Sequence, residues 1–386
     1  MKKEACLLLF AALLSGARGA PPATNGLTVS QLDQLLARLQ HGSDGSVARE
    51  LAGLKLTERA SAAELAKWEA EIRGDRSREA LLALADASAF LPPPPAERPT
   101  TAPPDAETQQ EILSRTIDYV KQMMPKLPDF FATRSTTSFE VTTQDQLAGQ
   151  QDFIQLYQAH ENNKFAHRVL GEAKASGLPN GQLFWTGSTT QVVTYRGGQE
   201  QENESTEGKS RASGSVFALT SSGEFGPILN VILSEAPKEA IVWDHWEQSP
   251  AGTLAVFRYA VPRDRSHFAV SNVLDSSPDF PAYHGEIAVD PADGSVFRIA
   301  VLADVRESRS IYGASMLVDY GPMQIGGLSY VVPIHAVAMA KSFDPFADLD
   351  AKPPPIPFST SINDITFTDY HVFRAKSRVV TGAPGP

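Results

Sequence analysis

Tyr283-His-Gly-Glu-Ile-Ala-Val-Asp290-Pro-Ala-Asp-Gly294-Ser-Val-Phe-Arg-Ile299 decides the fold. Tyr283, Ile287 and Val289 alternate along a first arm, Phe297, Ile299 and Val301 along a second, and 290–294 supplies the turn. Period-two alternation on both sides of a Pro/Asp/Gly cluster is the pattern of an antiparallel hairpin with one buried face. Outward from it, β-rich runs recur at 136–143, 183–196, 214–220, 240–246, 253–261, 267–274, 314–320, 328–340 and 361–374, separated by Gly, Pro, Asn, Asp or Ser clusters. Only 145–160 reads as helix among them, so the strands are expected to pair antiparallel through hairpins. Gly326-Gly327 reads as a hairpin turn, and 197–210, with Glu200, Glu202, Glu204 and Glu207, as a mobile solvated loop.

Upstream the period lengthens. Leu113, Ile117, Val120 and Met124 form one stripe of a helix over 106–124, ended by Pro125 and Pro128. Residues 27–91 also read as helical, with capping-box spacings at Thr28/Gln31 and Ser61/Glu64. A shift of 33 residues aligns Leu32 with Leu65, Leu35 with Trp68, Leu39 with Ile72 and Leu51 with Leu84. That register fits two helix-turn-helix repeats with turns at 42–45 and 74–77, and it fits equally an irregular four-helix cap whose leucines reflect amphipathic period alone. Between the two parts, seven of the residues in 91–104 are proline, the composition of a semi-rigid polyproline spacer.

The N-terminus carries an address. Lys2 and Lys3 precede an apolar run over 5–14, followed by Ser15, Gly16, Ala17 and Gly19. This three-part pattern predicts a secretory signal peptide over 1–19, cleaved after Ala17 or Gly19. Its removal takes away Cys6, the only cysteine, so the mature chain is expected to hold no disulfide, no cysteine nucleophile and no lipidated cysteine. Losing three cations and one anion moves the formal charge from -11 to -13. An acidic balance of this size gives no electrostatic footprint for nucleic acid, and no later run is long enough for a transmembrane segment. The expected organisation is a signal peptide (1–19), a helical segment (20–90), a Pro-rich linker (91–104), a β domain (105–375) and a disordered tail (376–386). The fold class is α+β, a helical repeat pair followed by a curved, unclosed antiparallel sheet wrapping a helix.

Chemical signatures are sparse. No histidines have H-E-x-x-H or i, i+4 spacing, so no metal is expected; His160 and His167 are the nearest pair. Trp243-Asp244-His245-Trp246 sets an acid beside an imidazole, but neighbours on a strand point to opposite faces, so Asp244 is not expected to orient His245. No nucleophile elbow, P-loop or dinucleotide fingerprint occurs, and no catalytic residue or cofactor is assigned. Trp185, Trp243, Phe257, Tyr259 and Phe297 are the aromatic set that would line a ligand groove if one is open.

Three passages carry a family resemblance: Tyr119-Val120 with Leu127-Pro128-Asp129-Phe130, the 283–299 hairpin, and Val318-Asp319-Tyr320 through Gly326-Gly327 to Val332-Pro333. Their succession resembles uncharacterised exported proteins of bacteria with an outer membrane and, more distantly, the LolA/LolB-like lipoprotein-carrier superfamily. The resemblance covers about 105–375. It implies a half-barrel with an apolar groove, hence a periplasmic, non-enzymatic envelope protein binding a lipid, an acylated segment, a lipoprotein or another envelope protein. The alternatives are a protein-interaction module with a filled core, and an unrecognised hydrolase.

Overall fold

A computed structural model describes residues 26–141, 183–197, 199–202, 219–225, 228–229, 233, 235–236, 240–271, 277–305, 311–343 and 358–372. The expected signal peptide, the helix at 145–160, the His160/His167 pair, Glu204, Glu207 and the tail lie outside these residues. The α+β class holds: among the described residues there are five α-helices and an open ten-stranded antiparallel sheet. In chain order its strands are β3 (Phe130–Val141), β4 (Leu183–Arg196), β5 (Gln199–Glu202), β6 (Val242–Ser249), β7 (Gly252–Val261), β8 (Ala282–Val289), β9 (Val296–Asp304), β10 (Ile311–Ile325), β11 (Leu328–Phe343) and β12 (Phe358–Val372). They lie in the order β5-β4-β3-β12-β11-β10-β9-β8-β7-β6. The last strand thus lies between the three strands β5-β4-β3 and a meander of six others, and among the described residues β5 and β6 are the edges.

The deciding hairpin is β8–β9, and its glycines are fixed by neighbours. At φ +79°, Gly294 adopts a conformation that side chains disfavour, and a Cβ there would stand 2.6 Å from the backbone of Arg115. Arg115 belongs to α5 (Ala106–Met123), and its guanidinium donates to the Pro291 carbonyl, so the turn clasps that helix. Gly285 leaves room on the strand: a Cβ would lie 1.8 Å from the Ala300 carbonyl oxygen. That oxygen accepts from the Tyr259 hydroxyl at 2.7 Å. On the concave face, Ile112, Leu113 and Val120 of α5 pack with Phe130, Phe257, Ile287, Ile299 and Val318.

The N-terminal helices are α1 (Val29–Leu39), α2 (Asp44–Ala52), α3 (Ala62–Glu71) and α4 (Asp75–Ala87). Both capping boxes form: the Gln31 and Glu64 amides donate to the Thr28 and Ser61 hydroxyls, and the cap amides donate back to their carboxamide and carboxylate. Two short strands, β1 (Gly26–Leu27) and β2 (Lys55–Leu56), pair in parallel. Leu32, Leu36, Leu51, Trp68 and Leu81 make a core for this segment.

α4 also packs on the outer face of the sheet, where Ala83 and Ala89 meet Phe139, Leu317, Val337 and Ile362. The proline run is packed as well: Pro93 and Pro94 are buried, the Arg59 amide donates to Pro92 O at 2.8 Å, and Trp246 Nε1 on β6 donates to Ala102 O at 3.1 Å. Proline offers no N–H to a strand edge, so this run lies along β6 without extending the sheet.

Two strand expectations change. Residues 219–220 are not strand, and 267–274 reduces to a single bridge between Val270 and Asp279 among the described residues.

Candidate functional site

The aromatic set does not converge. Phe257 and Tyr259 are buried in the concave core, and Trp243 packs edge-on to Phe257 at 5.6 Å. Trp185 instead joins the outer cluster around Phe139, its Nε1 donating to Ser188 Oγ at 3.2 Å, and Phe297 packs with Leu254, Val256 and Ala288.

Among the described residues, side chains of the chain itself pack against one another on the concave face. Phe130 stacks on Tyr195 at 5.1 Å and meets Phe225 and Tyr370 at 5.5 and 5.4 Å. Phenols there are tied internally: Tyr283 donates to Glu235 at 2.8 Å, Tyr320 to Glu224 O at 3.2 Å, and Tyr370 to Pro333 O. A pocket of about 30 Å3, lined by residues including Tyr119, Val120, Phe225, Tyr320 and Val332, is room for little more than water. Arg134 on β3 fastens the 219–225 segment across this face, donating to Ser221 O and Oγ at 2.9 Å and to Glu224 at 3.1 Å. Glu200, read as part of a solvated loop, is buried on edge strand β5, 3.8 Å from Arg134. A buried cation requires anions beside it, and that need overrides the polar look of Gln-Glu-Gln-Glu.

The outer face, under the N-terminal helices, carries a row of charges. Register places Arg298 of β9 beside Asp319 of β10, and Asp319 beside His335 of β11. Asp364 on β12 lies two residues from Thr366, the partner of His335, and so shares the face. His335 Nδ1 lies 3.3 Å from Asp319 Oδ2 and its Nε2 2.6 Å from Asp364 Oδ2. Burial opposes the imidazolium, but both carboxylates favour it and hold the His335 pKa well above the ordinary histidine value. From the helical side comes Asp86 of α4, 2% exposed, whose Oδ2 has no hydrogen-bond partner. Burial, reinforced by Asp364, pushes the Asp86 carboxyl well above its usual range. Asp86, His335 and Asp364 bring two carboxylate oxygens and an imidazole nitrogen within 4.8 Å of one another.

The row continues to β6. Arg298 Nη1 and Nη2 donate to the two oxygens of Glu247 at 2.8 Å, a bidentate pair, and Arg59 of the helical segment donates to Glu247 Oε2 at 2.8 Å. Burial works against ionised Glu247, yet the His245 imidazole, Arg298 and Arg59 hold its carboxyl far below the usual range. The Asp244–His245 expectation is corrected here: Asp244 Oδ2 lies 2.8 Å from His245 Nδ1. A bulge between Trp243 and His245 breaks the alternation that would have separated the two side chains. The His245 side chain is 9% exposed.

Sequence spacing gave no sign of the Asp86–His335–Asp364 cluster, because its members come from three elements joined only by the fold. No protein-family model, no curated protein and no solved structure matches this chain. Among the described residues, no helix is long and apolar enough to cross a membrane.

Proposed function

We propose that this chain is an exported, non-enzymatic protein-interaction module of the bacterial envelope, in which a filled half-barrel serves as the scaffold. The observation that carries this reading is the concave face, where, among the described residues, α5 and the Phe130, Tyr195, Phe225 and Tyr370 rings pack in one core and the pocket beside Phe225 and Tyr320 has about 30 Å3 of room. Of the alternatives open in the sequence, this favours the filled-core module over the lipid-binding groove. The segment over 1–19 and the half-barrel resemblance support export to the periplasm. Recognition then falls to outer surfaces, where α1 to α3 and the strand edges lie.

Native mass spectrometry of the protein released gently from the periplasm of an expressing bacterium tests this. The expected species begins after Ala17 or Gly19 and carries no acyl modification and no lipid-sized adduct. A stoichiometric lipid adduct, or an uncleaved cytoplasmic chain as the dominant form, would contradict it.

A further inference from the structure

We infer that Asp86, His335 and Asp364 form a binding site for one divalent transition-metal ion of the zinc class, which clamps α4 to the outer face of the sheet. The cluster has the chemistry of such a site. One imidazole nitrogen and two carboxylate oxygens lie within 4.8 Å of one another. An ion with bonds of ~2.0–2.2 Å draws its ligands to about 3.3–3.6 Å apart, so closure needs shifts of about 1 Å.

The second observation is Asp86 itself. A buried carboxylate with an unpartnered oxygen is costly, and the Asp86 carboxylate, brought from the opposing element, lies within the cluster. A cation bound to the Asp86 carboxylate supplies the compensation that this buried group lacks. It also takes the place of the proton shared at 2.6 Å between His335 Nε2 and Asp364 Oδ2.

The surroundings support His335 as a ligand. With Nδ1–H donating to Asp319 at 3.3 Å, the ring presents its Nε2 lone pair to the cluster, the carboxylate–histidine–metal arrangement that orients ligands in metal sites. The His335 side chain is 24% exposed, so the cluster is not fully sealed from solvent. An imidazole in the ligand set disfavours magnesium and calcium, which take oxygen ligands, and suits zinc, cobalt or nickel. The ligands come from α4, β11 and β12, so the ion would tie the helical segment to the sheet.

The test uses the full chain, stripped with a chelator and titrated with zinc in excess magnesium by equilibrium dialysis, with cobalt absorption as a second readout. One equivalent should bind, with a higher thermal midpoint, and cobalt should give a d–d spectrum with nitrogen and oxygen ligation. Asp86→Asn and His335→Gln should each weaken zinc binding at least a hundredfold. Asp319→Asn should weaken it about 10–100-fold. His267→Gln, at an exposed histidine on another part of the molecule, should leave it unchanged. Asp86→Asn replaces a buried carboxyl that has an unpartnered oxygen with a neutral amide of the same shape, so it should fold at least as well as the parent without metal and keep the result readable if His335→Gln misfolds. Absence of stoichiometric zinc binding, or binding undiminished in Asp86→Asn, overturns the assignment.

Discussion

Arg59 of the helical segment donates to Glu247 of β6 at 2.8 Å, with side chains only 9% and 3% exposed, across 188 residues of sequence. The proline run between these two residues therefore does not hold two independent bodies apart, because a charge is buried at their contact.

Breaking that contact from one side should be costly. Arg59→Met leaves Glu247 with Arg298 and the His245 imidazole and removes an anchor of the helical segment, an expected loss of about 3 kcal/mol, at the lower end for buried pairs because Arg298 stays bidentate. Chemical denaturation of the single variants and of Arg59→Met/Glu247→Gln measures the coupling, and additive effects would place the pair outside the interface energetics.

Limited proteolysis of the full chain should cut within 98–103, where Arg98, Thr100, Thr101, Ala102 and Pro103 are exposed. The fragments should nevertheless co-elute, held by the apolar contact of Ala83 and Ala89 with Phe139, Leu317, Val337 and Ile362. A β fragment that separates and unfolds cooperatively by itself would show that the helices are an appendage.

Glu97 sets a pH dependence. Burial, then repulsion from Glu64 and Glu247, raises its carboxyl from 4.5 to about 7, opposed by Arg59. The folded state therefore holds a proton that the unfolded chain releases between about pH 4.5 and 7, so this group makes the protein less stable as pH rises through that window. Denaturation midpoints of Glu97→Gln should lack that part of the decline, and a parallel profile would remove Glu97 from the account.

Two glycines should respond with opposite sign. Gly285→Ala forces a methyl into the Ala300 carbonyl and disturbs the Tyr259 hydrogen bond, costing about 3 kcal/mol. Gly45→Ala, in α2 with open space around it, should stabilise by about 0.5–1 kcal/mol. Thermal melts read both.

These glycines also mark how far the sequence could be read. Alternation placed β4 at 183–196 and the 283–299 hairpin where the structure has them, because a half-buried sheet writes its period into the chain. The capping boxes at Thr28 and Ser61 were legible because cap chemistry is local. Edge strand β5 was not, since the burial of its Glu200 depends on Arg134 of β3 and on the Gly223 amide, both distant in sequence. The bulge at Trp243/His245 was equally hidden, and with it the contact between Asp244 and His245. Asp86, His335 and Asp364 are joined by sheet register and by the docking of α4, neither of which is written in their spacing.

The filled interior is the claim on which the proposed function rests, and a fatty-acid series tests it directly. The full chain is titrated by calorimetry with fatty acids of increasing length, near-UV dichroism confirming that the fold is kept. A filled half-barrel predicts a flat response with no saturable binding. An open groove would contribute about 0.8 kcal/mol per buried methylene, and a steady rise in affinity with chain length in the folded protein would contradict the account.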